Sequence, residues 1–265
     1  MFRGIEIAMA LSCINSITNS NQASGPTLNT STGIDVLGGD LLIAVLIWES
    51  NTSTVTIADT DSTNIFTMLN SYSPGYGDSF QIGYKLSALA NDNSIFSAVL
   101  SNPAYFRMLF VYQFRPDSGD TISLDAGPSN SYSSASTSLS TASIDPSGTD
   151  TLIFCVYGAT NSDYGVLSNA SVGGVSATAL NSNLAEGACF YRLATSDLGS
   201  VNGTATLSPS TAQIKSILSF VSTPSSSGNP WYYYAQQMRQ KLEEKLKRRI
   251  LIPGFAGCMR YGFAR

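Results

Sequence analysis

The chain repeats itself, so its fold must be one that can be built twice. Thr67-Met68-Leu69-Asn70-Ser71 returns 111 residues later as Thr178-Ala179-Leu180-Asn181-Ser182. At the same offset Leu41-Leu42-Ile43 falls on Leu152-Ile153-Phe154, and Val45 on Val156. Tyr84-Lys85-Leu86 returns as Tyr191-Arg192-Leu193, now 107 residues on, and this offset runs without a gap through Ala98/Ala205 and Leu100-Ser101/Leu207-Ser208. Matches in one order in both halves mark a duplicated structural unit rather than shared composition. The implied boundaries are a first repeat over 1–117, a second over 118–224, and a remainder, 225–265, outside the duplication. The drop from 111 to 107 gives the first copy four additional residues within Ser71-Tyr72-Ser73-Pro74-Gly75-Tyr76-Gly77-Asp78. Pro-Gly and Tyr-Gly there are turn chemistry, so the insertion is expected as a longer exposed loop.

The repeated unit reads as all-β. Charged residues are only 12% of the chain while apolar ones reach 43%, and Ser, Thr, Asn and Gly make up the difference. Ser, Thr and Asn side chains compete with a helical backbone for its hydrogen bonds, whereas turns between short strands use them. Phe106, Met108, Phe110, Tyr112 and Phe114 alternate with Arg107, Leu109, Val111, Gln113 and Arg115, which places the aromatics on one face of a strand. Leu41 to Trp48 is apolar on both faces, as a central strand requires. Thr54-Val55-Thr56-Ile57, a turn at Asp59-Thr60-Asp61-Ser62, and Ile65 to Leu69 form an expected hairpin. In the second copy Ser171-Val172-Gly173-Gly174-Val175-Ser176 forms another, with a tight two-residue turn. Strands this short and this frequent indicate a β-sandwich, jelly-roll or Ig-like, in duplicate. The start, Met1 to Cys13, imitates a short signal peptide, but Glu6 interrupts its apolar segment and a strand is expected there. The longest apolar run, Leu41–Trp48, is far short of the ~20 residues of a membrane-spanning helix.

Gly25-Pro26-Thr27-Leu28, Thr32-Gly33 and the strand Gly39-Asp40-Leu41-Leu42-Ile43 ending at Trp48 are followed by Asp61-Ser62-Thr63-Asn64-Ile65-Phe66-Thr67 and by Tyr84-Lys85-Leu86. This succession resembles modules common in phage structural proteins and bacterial surface proteins, over about residues 1–222. The resemblance implies a β-sandwich used for display or attachment and carries no catalytic residue across.

Past the Ser/Gly-rich linker 225–230 the character changes. Trp231, Ala235, Met238, Leu242 and Leu246 recur at the helical period, so a basic amphipathic helix is expected, ended by Pro253-Gly254. An extended arm follows, with Phe255, Tyr261 and Phe263 spaced by glycines. Residues 1–224 carry a net charge of −10 and residues 225–265 a net of +6. Such a tail should seek an acidic or apolar-grooved partner. Trp231, Met238, Arg239, Leu242, Leu246, Arg248, Arg249, Phe255, Tyr261 and Phe263 are its expected contact residues. A neighbouring protein subunit, in a homo-oligomer, is the leading target. Nucleic acid, a membrane interface and the chain's own body are the others.

The chain has no histidine, which removes His-based triads and His-ligated metals. No phosphate-binding glycine loop occurs. Asp59 to Asn64 opens like a calcium loop, but Asn70 stands where the closing glutamate belongs, so a turn is expected. Cys13, Cys155, Cys189 and Cys258 lack any paired spacing, and the first three sit among strand-type apolar residues as small buried hydrophobes. The chain is accordingly expected to be non-catalytic and without a cofactor. The leading reading is a virion structural protein of the decoration, fibre or tail-accessory kind, on the particle surface. The alternative is a carbohydrate-binding adhesin whose exposed Tyr72, Tyr76 and Tyr164 stack on glycans.

Overall fold

The computed structural model describes residues 11–49, 53–75, 77–117, 119–159, 166–180 and 187–224. The amphipathic helix and arm expected over 225–265 lie outside the described residues, as do Tyr76 and Tyr164. Residues 1–224 form one compact unit. It is all-β, with no helix among the described residues. In the first copy the strands are β1 (Leu11–Asn21), β2 (Gly25–Asn29), β3 (Ile34–Val36), β4 (Leu41–Glu49), β5 (Val55–Asp59), β6 (Thr67–Met68), β7 (Asp78–Lys85), β8 (Asn91–Ser94), β9 (Phe96–Ala104) and β10 (Arg107–Pro116). The second copy has β11 (Thr121–Ser140), β12 (Thr151–Ala159), β13 (Val166–Val172), β14 (Val175–Ser176), β15 (Thr178–Leu180), β16 (Gly187–Ala194) and β17 (Gly203–Thr223).

The same antiparallel strand order occurs twice. In the first copy an inner sheet runs β1-β10-β4-β7-β6 and an outer sheet β2-β9-β5, with β3-β8 as a small pair beside them. In the second copy β1 and β2 have merged into β11, and β9 and β10 into β17, so each long strand serves both layers. The first part of β11 and the last part of β17 join β12, β16 and β15, while their other parts join β13 and β14. Pro103 and Pro209 sit at equivalent points of this crossover, where a residue without an N–H donor is tolerated. Tyr84 lies between Ile43 and Thr67, and Tyr191 between Phe154 and Thr178. Leu69 donates its N–H to Ile82, and Leu180 sits opposite Cys189, the residue at Ile82's repeat position. A further match, Ile34-Asp35…Gly38…Asp40 with Ile144-Asp145…Gly148…Asp150, joins them at an offset of 110. Ile34 pairs with Ser94 just as Ile144 bridges to Val201.

The two inner sheets pack against each other, which explains why β4, β10 and β12 are buried along nearly their whole length. One face of β4 and β10 (Leu41, Ile43, Val45, Phe110, Tyr112, Phe114) meets Leu152, Phe154, Leu218 and Phe220 of the second copy in a central core. Their other faces, with Leu42, Leu46, Trp48, Leu109 and Val111, close on the first copy's outer sheet. Ile153, Cys155, Tyr157 and Ile217 do the same in the second copy. Burying each large apolar side chain contributes on the order of 1.5–3 kcal/mol. The central core has an approximate twofold symmetry. The Tyr84 ring lies 5.6 Å from Phe220 at 70°, and its repeat mate Tyr191 lies 5.2 Å from Phe114 at 83°. A twofold interface exchanges partners in this way, residue i touching j and j touching i.

The copies are not equal in volume. Ile47 and Phe80 face each other across β4 and β7, and their counterparts are Gly158 and Gly187. A Cβ at Gly187 would come within 2.5 Å of Ile47 Cδ1, and one at Gly158 within 3.3 Å. Ile47 therefore fills a depression that only glycine leaves open. Within each sandwich an aromatic ring has also changed strands. The first copy has Phe96 on β9 and Gly83 on β7, and the second has Gly203 on β17 and Phe190 on β16. A Cβ at Gly203 would stand 3.0 Å from the Phe190 ring. At Gly83 the side chains of Met68 and Phe66 stand closest instead.

The expected hairpin over 54–69 needs correction. Only Ala58 and Ile65 form a bridge, with Phe66 donating to Ile57, before the chain leaves for the inner sheet as β6. Val172–Val175 does close through Gly173 and Gly174, both at positive φ as the tight two-residue turn demands. Cys155 and Cys189 are free and buried in different cores, on opposite faces of their sheet. Burial pushes both thiols up, Cys189 to about 12.

Candidate functional site

At one end of the first copy, two buried carboxylates hold three loops. The turn Leu37-Gly38-Gly39-Asp40, with Gly39 at φ +96°, delivers the Asp40 side chain into the protein just before β4. Asp40 accepts from Arg115 Nε at 2.9 Å and Nη2 at 3.1 Å, from the Gln113 amide, and from the Leu37 N–H at 2.9 Å. Burial alone would push this carboxyl up, but the Arg115, Gln113 and Leu37 bonds and the guanidinium charge together hold it below its usual value. Gln113, itself buried, also donates to the Asp35 carbonyl at 3.0 Å and accepts from Asn15 at 2.7 Å. It lies on the face of β10 that it shares with Leu109 and Val111. Its burial follows from a strand covered on both sides.

Asp59 at the end of β5 is equally enclosed. Its Oδ1 accepts the Asn64 N–H at 2.9 Å, and its Oδ2 accepts from Asn64 Nδ2 at 3.0 Å and Asn91 Nδ2 at 3.1 Å. Desolvation is again outweighed, here by amide hydrogen bonds, and the carboxyl is held low. The Asp59–Asn64 turn is thus a carboxylate saturated by amides, and Asn64 is the residue that makes it. Asn64 also pairs with the Leu89 backbone in both directions, at 2.8 and 3.0 Å. Ala88 donates to the Asp40 carbonyl and accepts from Gly39.

These bonds bring Leu37, Ile65 and Leu89 onto adjoining loops, where they stand 49%, 61% and 56% exposed. Asp61 is exposed on the Asp59–Asn64 turn, and Asp35 on β3 and Asp92 on β8 are exposed on the strands that flank these loops. Lys85 is half-buried nearby, and Arg115 is engaged by Asp40. The result is an apolar tip with an acidic rim. At the repeat positions the second copy has Ser147, Ser176 and Ser196. Sequence reasoning passed over Leu37, Ile65 and Leu89. The signal lay in the repeat, in three positions where one copy is apolar and the other is serine.

Elsewhere, buried cations brace the crossover between layers. Arg107 donates to the Thr27 and Ala23 carbonyls. Its counterpart Gln213 donates to the Ser136 carbonyl at 2.9 Å. Lys215 donates to Ser133 Oγ at 2.9 Å, and burial lowers its pKa. The Ser133 hydroxyl in turn donates to Gln213 Oε1 at 3.4 Å, so the amine acts on it as a donor and the group fixes the bend of β11. Among the expected glycan contacts, Tyr72 is half-buried, its ring 5.7 Å from Phe80 and its phenol pushed up by burial. Tyr76 and Tyr164, and all the expected tail contacts, lie outside the described residues. No protein-family model and no curated protein matches the chain, so the tip stands on its own geometry.

Proposed function

We propose that the chain is a non-catalytic virion structural protein of the decoration, fibre or tail-accessory type. Its β body is displayed outward on the particle, and residues 225–265 anchor it to the particle or to neighbouring copies. The observation that carries this reading is the two-sandwich body, whose inner sheets are buried on both faces. Such a body is a stiff spacer with its loops gathered at the strand ends. The orders β1-β10-β4-β7 and β2-β9-β5, repeated in the second half, follow the jelly-roll pattern, an architecture recurrent in viral capsid and lectin domains. The likeness is one of fold and supports a class, not a partner. The charge split between the acidic body and the basic tail supports attachment through the tail.

Electron microscopy and analytical ultracentrifugation of the purified full chain test the proposal. A repeating assembly is expected, and a chain that stays monomeric at every concentration overturns it. A carbohydrate-binding adhesin remains the second reading. Strong, selective glycan-array binding by the full chain, lost on Tyr76→Ala and Tyr164→Ala, would put it first.

A further inference from the structure

We infer that the apolar tip of the first copy (Leu37, Ile65 and Leu89) receives residues 231–249 of a second chain. This inference rests on the tail-anchored reading above and names the surface that takes the anchor. Three apolar side chains about half exposed, on loops tied by Asp40, Asp59 and Asn64, form a pre-shaped patch that loses little freedom on binding. Its rim is acidic through Asp35, Asp61 and Asp92, with Lys85 the nearby cation not held by a carboxylate on the tip. Residues 231–249 offer the complement. In their sequence Trp231, Met238, Leu242 and Leu246 recur at the helical spacing among Arg239, Lys241, Lys245, Lys247, Arg248 and Arg249. A basic amphipathic segment on an apolar patch with an acidic rim combines anchor burial with steering charge.

The comparison of copies makes the site single. Serines replace all three apolar residues in the second copy, so each chain has one receiving tip and one donating tail. A contact between unlike surfaces is heterologous, and it either closes into a ring or continues as a filament. The inferred assembly is therefore directional, tail of one chain on tip of the next.

Sedimentation velocity of the full chain across a concentration series tests this. The triple variant Leu37→Ser/Ile65→Ser/Leu89→Ser installs residues the second copy already tolerates, and its fold is checked by circular dichroism and thermal melting. Self-association is expected to weaken at least about tenfold. Asp61→Lys/Asp92→Lys should weaken it as well. So should Lys241→Glu/Lys245→Glu/Arg248→Glu, and the two charge reversals combined should restore much of the loss. If the tip variants assemble like the parent while the tail variants do not, the tip is wrong and the tail anchor stands. If the tail variants also assemble like the parent, the anchor reading falls with it. Concentration-independent docking within one monomer, or association only with anionic vesicles, likewise overturns the inference.

Discussion

The first copy ties its loop ends by bonding Asp40 and Asp59 to amides and a guanidinium, and the second uses a Gly-Gly turn and an Asp125 carboxylate bonded to the Ser219 hydroxyl and to the hydroxyl and N–H of Ser147. Where Asp59 accepts three hydrogen bonds from Asn64 and Asn91, the second copy turns on Gly173-Gly174 between Val172 and Val175. Where Gln113 and Arg115 hold Asp40, the repeat positions carry Ser219 and Val221, and Ser219 donates instead to Asp125 at 3.0 Å. The topology is thus indifferent to how its corners are fastened. A glycine turn meets the backbone's conformational demand directly, whereas a carboxylate network gathers distant loops and fixes them relative to one another. Both copies have such a network, and they differ in what stands beside it: Leu37, Ile65 and Leu89 in the first, Ser147, Ser176 and Ser196 at the same positions of the second.

That contrast can be broken most forcefully in the cores. Phe96→Ala removes a fully buried ring that packs edge-on against Phe66 in the first copy's outer core, and is expected to cost about 4 kcal/mol in denaturant unfolding. A loss below about 1 kcal/mol would mean that the ring exchange between copies has no energetic weight. Asp40→Ala strands a guanidinium, an amide and a backbone N–H, and is expected to cost about 3 kcal/mol. Gly203→Ala places a Cβ 2.5 Å from the buried Cys155 Sγ and is expected to cost about 2 kcal/mol. Cys155→Ala in the same chain should recover part of it, and a failure to do so would shift the blame to backbone conformation. Ser219→Ala, the second copy's counterpart in polar fastening, should cost only about 1 kcal/mol. If it matches Asp40→Ala, the two copies are fastened equally and the comparison fails.

Acid is the gentlest probe. The Asp40 and Asp59 carboxyls are lowered in the folded chain, so their stabilisation is present above the ordinary carboxylate range and is lost as pH falls through their folded values. Asp120 in the second copy is raised, chiefly by burial, so it favours the fold when protonated and that contribution is lost as pH rises through its folded value. Hydrogen exchange, corrected for intrinsic rates, should therefore show the loops around 37–40 and 59–64 losing protection first on acidification. Earlier loss around Asp120 would reverse the assignment.

Much of the body could be read in advance. Apolar residues on both faces of Leu41–Trp48 announced a central strand, Gly-Gly announced its turn, and the two offsets located the repeat. Less legible was everything decided by which faces meet. Alternation along β10 separates Phe110, Tyr112 and Phe114 from Leu109, Val111 and Gln113, but it cannot say that both rows are covered, one by the first copy's outer sheet and one by the second copy. For the same reason alternation alone does not reveal that Arg107 and Gln113 are buried. Ile65 to Leu69 read as a simple return strand because a two-residue pattern does not reveal that the chain changes sheets after a single bridge. The tip was hidden because isolated exposed leucines are ordinary. The hydrogen bonds of Asn64 with the Leu89 backbone and of Ala88 with Gly39 and Asp40 bring together loops as distant as 37, 65 and 89.

The depression at Gly158 and Gly187, filled by Ile47, has a consequence for how the two halves can exist. Two first copies placed about the same twofold axis would drive Ile47 and Phe80 into their own images. Two second copies would meet glycine to glycine across a void, with the loss of stabilisation that an empty core site entails. Each half has become a mould for the other and no longer for itself. Joined in one polypeptide, they cannot exchange partners or drift out of equal proportion.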